Sequence, residues 1–159
     1  MMRSVQPIKP LAAAVVIFLA GSSGIVSAGD RIGLRPGMSP EEANAAMAGR
    51  CPDSYVGPPW ITCINKGIIL TATFTKKKRL NWLRLMEPSQ EDAQTYAKKL
   101  AAEVGFTGTP EPCVVYEANT FCFKDAEGTV LGAGSTEYDG MRTSYFFNPR
   151  FEQEDGGIE

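Results

Sequence analysis

The 159-residue sequence contains no histidine. Without an imidazole, the chain cannot use Ser-His-Asp or Cys-His catalysis, an imidazole zinc site or a pH switch near neutrality. It also lacks a basic excess, because 16 Lys and Arg stand against 18 Asp and Glu. Mildly acidic chains are poor candidates for nucleic-acid binding. We therefore expect no cofactor, no metal and no nucleic-acid partner.

Apolar runs are short, and the longest covers residues 11–20 (LAAAVVIFLA). Arg3 and Lys9 precede it without any acid, and a Gly/Ser break and the small residues 26–28 (VSA) follow it. This order predicts a secretory signal peptide, residues 1–28. The alternative, a membrane anchor, needs about 20 strongly apolar residues. We expect a periplasmic or secreted protein with no stable membrane anchor after cleavage.

Cleavage would leave one domain, residues 29–149, followed by an acidic tail, residues 150–159 (RFEQEDGGIE), which is aperiodic and expected to be disordered. Loss of Arg3 and Lys9 would lower the basic count from 16 to 14, against 18 acids, for a net charge of −4.

Four cysteines in an exported chain indicate two disulfides, for which three connectivities are possible. We favour neighbour pairing, because each pair then falls within one of the two halves described below. The alternative is a redox or metal site, but the chain has no CxxC motif. The expected bonds are Cys51–Cys63 and Cys113–Cys122.

The two halves of the sequence share the same order of features. Ser39 and Ser89 each precede acids and an apolar helical pattern, which predicts capped helices over about 40–48 and 90–104. From Gly67 and Gly128 onward the two copies align without a gap. We predict a tandem repeat of two αβββ units (about 39–88 and 89–147), with chance similarity of two α+β halves as the alternative.

Period-two patterns and turn signals place the strands of this α+β fold. They are expected at 60–64, 68–75, 80–86, 113–116, 121–124, 129–136 and 141–147, with a turn near Ala118 and Asn119. The natural architecture is an antiparallel sheet with helices packed on one face and an open face opposite.

Register assigns residues to the two faces. Pairing Leu70 with Leu85 and Ala72 with Leu83 directs these side chains toward the helices. We call the opposite surface the open face, and it is expected to carry Thr71, Thr73, Thr75, Leu80, Trp82, Arg84, Gly132, Gly134, Thr136, Met141, Thr143, Tyr145 and Phe147.

The open face combines residue types that dominate protein interfaces. Its candidate protein-binding residues are Thr73, Trp82, Arg84, Tyr145 and Phe147. Glycines 132 and 134 would allow close approach of a partner. The alternative is that Thr and aromatic residues simply favour strands, or that a tail or loop covers this face.

The charged runs are weaker indications of a functional site. The basic run Lys76–Arg79 is expected to be either a solvated turn or a site for an anionic partner. Two acid pairs, at 41–42 and 91–92, lie where helix N-termini are expected, so they are assigned to capping rather than catalysis.

Residues 34–43 (LRPGMSPEEA) resemble the helix entry of the SmpA/OmlA outer-membrane assembly proteins. The doubled helix-plus-sheet plan with a cysteine pair in each half resembles the secreted β-lactamase inhibitory protein, whose fold is related. In that inhibitor the open concave sheet grips the enzyme. The lipid-bearing Cys of the SmpA/OmlA proteins is missing here, so the resemblance implies a soluble binding role.

These patterns predict a non-enzymatic protein-binding or inhibitory module of the cell envelope or exterior, with a protein partner. The alternatives are an enzyme that uses carboxylates alone on an envelope polymer, or a structural component of the envelope.

Overall fold

The computed structural model describes residues 33–48, 51, 55–57 and 59–159, with only the backbone described at 55–57. The predicted signal peptide lies outside these residues. In the described part, three helices and eight strands form one α+β unit. The helices are α1 (Pro40–Met47), α2 (Ala93–Glu103) and α3 (Pro149–Asp155). The strands are β1 (Tyr55–Gly57), β2 (Trp60–Asn65), β3 (Ile68–Phe74), β4 (Leu80–Pro88), β5 (Glu111–Val115), β6 (Ala118–Lys124), β7 (Val130–Ser135) and β8 (Met141–Phe147).

All eight strands belong to a single antiparallel sheet in the order β1-β2-β3-β4-β8-β7-β6-β5. The α+β class is therefore confirmed. Each half consists of one helix followed by four strands, one more than the predicted αβββ unit. In the first half the extra strand, β1, is three residues long, too short for a period-two pattern to reveal. The tandem duplication itself stays a prediction.

The two helix starts differ in detail. At α1 the predicted capping box is present: Glu42 N donates to Ser39 Oγ (3.2 Å), and Ser39 N donates to Glu42 Oε2 (2.8 Å). At α2 the N-cap is Asp92 rather than Ser89. Thr95 donates to the Asp92 carboxylate, which lowers the pKa of Asp92. Ser89 instead accepts a hydrogen bond from Glu91 N, so its hydroxyl is already used before the helix begins.

The core confirms the predicted register at its centre. Leu70 lies opposite Leu85, and Ala72 lies opposite Leu83. These four residues join one buried cluster with Met47 of α1 and with residues of α2 and the second hairpin, namely Tyr96, Ala97, Leu100, Ala101, Leu131, Ala133 and Phe146. Burial of such side chains contributes about 1.5–3 kcal/mol each and is the main stabilising term of the fold.

Two predicted open-face positions are wrong because bulges shift the strands. A bulge between Thr73 and Phe74 pairs Leu80 with Phe74, and Leu80 is fully buried in the core. A second bulge follows Ala133, where Gly134 has φ +102°. A Cβ on Gly134 would lie 2.5 Å from the Ala93 carbonyl oxygen, so this glycine faces the start of α2. An inserted residue of this kind reverses the side-chain alternation beyond it.

Both predicted disulfides are present, with Cα–Cα distances of 5.5 Å for Cys51–Cys63 and 5.7 Å for Cys113–Cys122. They lie on opposite faces of the sheet, since Cys63 pairs with Leu70 of the core whereas Cys122 pairs with Gly132 of the open face.

Cys63 and Cys122 therefore do not occupy equivalent positions in the two halves. Two residues separate β2 from β3, but five separate β6 from β7. The two connections differ by three residues, and an odd difference of this kind exchanges the two faces.

The predicted disordered tail is instead ordered. Asn148 caps α3 by accepting a hydrogen bond from Arg150 N (3.1 Å), Pro149 follows at the first helical positions, and Gly156 ends the helix with φ 76°. Pro at a helix start and a left-handed Gly at its end are standard helix signals. Beyond the helix, Glu159 N donates to Phe74 O (2.9 Å), and Ile158 forms a bridge with Thr75.

The basic turn binds this C-terminal segment. Lys77 donates to the Glu154 carbonyl oxygen (2.8 Å), Lys78 pairs with Glu159, and Arg79 binds both Glu154 (2.9 Å) and Asp155 (2.7 Å). The run is therefore not simply a solvated turn, because its anionic partner is the C-terminus of the same chain. These contacts also bring α3 toward the open face, so the helices do not all share one side of the sheet.

Non-reducing peptide mapping tests the disulfides, and we expect crosslinks Cys51–Cys63 and Cys113–Cys122 alone. The Cys113→Ser/Cys122→Ser protein should unfold at lower urea, with a loss of about 2–3 kcal/mol, because the unfolded chain regains the entropy of a short loop. A Cys51–Cys113 or Cys63–Cys122 crosslink would contradict this connectivity.

Candidate binding groove

Side chains on the open face form two rows across the strands. In one row Thr73 of β3 lies opposite both Trp60 of β2 and Trp82 of β4, and the Trp82 ring stacks on Phe147 of β8. The second contains Thr62, Thr71, Arg84, Tyr145 and Gly132. Directly opposed residues share a face and contact one another. The register therefore brings the predicted residues Thr73, Trp82, Arg84, Tyr145 and Phe147 together on one surface.

The tip of the β5–β6 hairpin folds over this surface. Its turn residues are Tyr116 and Glu117, both with positive φ (49° and 63°), and not Ala118 and Asn119 as predicted. The Tyr116 ring lies 4.2 Å from the Trp82 ring and 5.5 Å from the Tyr145 ring, centroid to centroid. Tyr145 is consequently only 3% exposed, although its position on the open face was predicted correctly.

Gly132 permits this covering. A Cβ at this position would lie 2.8 Å from Cγ2 of Val115, the residue before the hairpin tip. The space that the sequence suggested for a partner is thus filled by the chain's own hairpin.

Helix α3 covers the surface at its other end. Trp82 Nε1 donates to Glu152 Oε2 (3.1 Å), and the Trp82 ring stacks on Phe147 at 3.9 Å with an interplanar angle of 12°. Because Phe147 and Tyr116 both pack against it, the Trp82 side chain is half-buried and held in place, so it is not an exposed anchor for a partner. Phe147 is covered by the Trp82 ring.

Between the hairpin tip and the strands lies a groove of about 770 Å³. It is lined by Thr71, Ala72, Thr73, Trp82, Leu83, Arg84, Tyr116, Glu117, Ala118, Asn119, Ser135, Thr136, Glu137 and Tyr145. This volume lies within the range of ligand-binding clefts in proteins.

Polar groups of the groove are partly paired. Glu137 receives hydrogen bonds from Arg84 and from the Tyr145 hydroxyl. Arg84 Nε and Ser135 Oγ are buried and have no hydrogen-bond partner in the described part of the chain. Desolvation of its hydroxyl group, reinforced by the charge of Glu152, raises the pKa of Tyr116 to about 12, so this hydroxyl stays protonated at all physiological pH values.

Several groove or flanking residues were not predicted from the sequence. Trp60 and Ile64, which are 52% and 54% exposed, share the open face with Thr62 on β2. The period-two pattern of β2 was sufficient to find them once the register was known. Tyr116, Glu117 and Glu137 come from turns, whose direction no local pattern indicates.

The described residues contain no group of three or more His, Cys, Asp or Glu that could hold a metal ion, and none of their helices is long and apolar enough to cross a membrane. The acid pairs lie near helix starts as expected: Glu42 belongs to the α1 capping box, and Glu91 pairs with Lys99 at 3.1 Å.

Comparison with protein-family models, curated proteins and solved structures finds no match to this chain. The resemblance to the SmpA/OmlA proteins and to the β-lactamase inhibitory protein therefore stays a prediction. Any assignment of function has to come from the groove itself.

A double-mutant cycle tests the packing of the hairpin tip on the sheet. Gly132→Ala should lower the free energy of unfolding by about 1–3 kcal/mol, because the new methyl group collides with Val115. In a Val115→Ala background the same change should cost clearly less, since the most severe collision is gone and only the contact with Thr120 Oγ1 at 3.2 Å remains tight. Urea denaturation of the four proteins gives the coupling energy. Additive effects would show that Val115 does not lie over Gly132.

Proposed function

We propose that this chain is an exported, non-enzymatic protein-binding or inhibitory module that acts through the groove of the open face. The observation that carries the proposal is the groove together with the exposed apolar side chains beside it, Trp60, Ile64 and Tyr116. Exposed apolar residues clustered beside a concave surface are typical of protein interfaces. The two disulfides fit an oxidising, exported setting.

Rigidity supports this assignment. Trp82 is held by Phe147, Tyr116 and Glu152, and Tyr145 and Arg84 both bind Glu137. A surface whose side chains are already fixed loses less conformational entropy on binding. The predicted repeat, the SmpA/OmlA-like helix entry and the inhibitor-like plan agree with a binding role at the envelope or outside the cell.

An enzyme that uses carboxylates alone is the second candidate, because Glu117 and Glu137 line the same groove. Glycoside hydrolysis requires two carboxyl groups separated by about 5–9.5 Å. Glu137 is already bound by Arg84 and Tyr145, which favours a structural role for this carboxylate. The binding module is therefore the function that we put forward.

The test uses the disulfide-bonded protein as bait for exported and envelope proteins, followed by titration of each purified captured protein. Trp60→Ala and Ile64→Ala should each weaken binding about tenfold or more, as expected for exposed apolar anchors. The control is Val114→Ala, which removes an apolar side chain that is even more exposed (67%) from the opposite side of the sheet. Equal effects of the three substitutions, or no specific partner, would contradict the proposal.

A further inference from the structure

The groove carries an excess of negative charge. Arg84 is the one basic residue among those that line it, and its guanidinium is paired with Glu137. Glu117 lines the groove as well, and Glu152 lies beside it, bonded to Trp82. The nearby basic turn does not offset these acids, because its Lys77, Lys78 and Arg79 bind the C-terminal segment. Arg142 also contacts the groove lining, at Thr136, so the acidic character is concentrated at the end that carries Glu117 and Glu152. Charge complementarity favours a cationic occupant at that end.

Tyr116 presents an aromatic surface at this acidic end. It is 60% exposed, whereas the Trp82 ring is packed against both Phe147 and Tyr116. Glu117 is the next residue in the same turn, and the charge of Glu152 acts on the Tyr116 hydroxyl. A Tyr ring with carboxylates nearby attracts an ammonium or guanidinium group by cation–π and ionic interactions together.

Two residues that line the groove have a polar side-chain atom without a hydrogen-bond partner in the described part of the chain. Arg84 Nε can only donate, and Ser135 Oγ can donate or accept. Ser135 is 7% exposed and lines the groove. Buried polar atoms without partners are rare in folded proteins. Both atoms are shielded from solvent, so an occupant of the groove reaches them only when these side chains turn toward it. A peptide then offers backbone carbonyl oxygens as acceptors, whereas a protonated polyamine offers none.

We infer that the groove receives a segment of the partner protein that places an arginine or lysine side chain over Tyr116, close to Glu117 and Glu152, with its backbone against the groove floor. This inference rests on the proposed function and names the chemistry of the partner. Affinity should fall with added salt, because part of the attraction is ionic and solvent-accessible.

The experiment titrates the full-length, disulfide-bonded protein with an acetylated, amidated peptide of sequence Gly-Leu-Gly-Arg-Gly-Leu-Gly. The matched probe replaces Arg by citrulline, which keeps the shape and removes the charge. Two-dimensional NMR follows the indole N–H of Trp82 and the amide of Glu117. We expect the Arg peptide to shift both signals and to bind about five-fold more tightly than the citrulline peptide.

Glu117→Gln should weaken binding of the Arg peptide about three- to five-fold. Glu127→Gln, the same change at an exposed acid that does not line the groove, should leave it unchanged. Spermine serves as the second probe. Equal binding of the two peptides, equal effects of the two Gln substitutions, tighter binding of spermine than of the Arg peptide, or no shift at about 10 mM peptide would each overturn the inference.

These failures are distinguishable from failure of the proposed function. If a captured partner depends on Trp60 and Ile64 but the Arg peptide does not bind, the groove is an interface with a different specificity. If no partner depends on Trp60 or Ile64, the proposed function itself fails.

Discussion

The attachment of helix α3 to the sheet depends on one buried carboxylate, that of Asp155. It accepts hydrogen bonds from Thr75 Oγ1 (2.6 Å), Arg79 Nε (2.9 Å) and Arg79 Nη2 (2.7 Å), and the residue is only 6% exposed. The hydrogen bonds and charge of Arg79 hold the pKa of Asp155 below its usual range. A buried charge that loses its partner is strongly destabilising. The β3–β4 turn and helix α3 therefore hold each other in place.

This attachment shapes the candidate binding surface. Because α3 is fixed to the turn, Glu152 reaches Trp82, and Trp82 in turn packs against Tyr116 of the hairpin tip. The two covering elements, one from each end of the surface, change an open sheet face into a groove. The same arrangement leaves Trp60 and Ile64 on β2 exposed, so apolar anchors and an acidic groove lie side by side.

The features that sequence reasoning predicted are those that a local pattern determines. Period-two alternation and a short turn sufficed for the pairing of Leu70 with Leu85, and neighbouring cysteines for both disulfides. Leu80 was misplaced because a bulge adds a residue that alternation cannot reveal. The C-terminal helix was missed because its attachment depends on ion pairs between distant residues, such as Arg79 with Asp155, 76 positions apart. Three residues that line the groove come from turns, namely Tyr116, Glu117 and Glu137. They could not be predicted, because no local pattern indicates the direction of a turn.

The most direct measurement is the free energy of unfolding as a function of pH for the wild type, Asp155→Asn and Glu154→Gln. At pH 7 we expect Asp155→Asn to be less stable by about 2 kcal/mol, and Glu154→Gln by less than about 1 kcal/mol, since Glu154 is half exposed. The pKa of Asp155 is lowered in the folded state, so this stabilisation is complete above the ordinary pKa of 3.8 and is lost as the pH falls below it. The difference between wild type and Asp155→Asn should therefore shrink below about pH 4. Equal stability at pH 7, or a difference that stays constant into strong acid, would contradict the account.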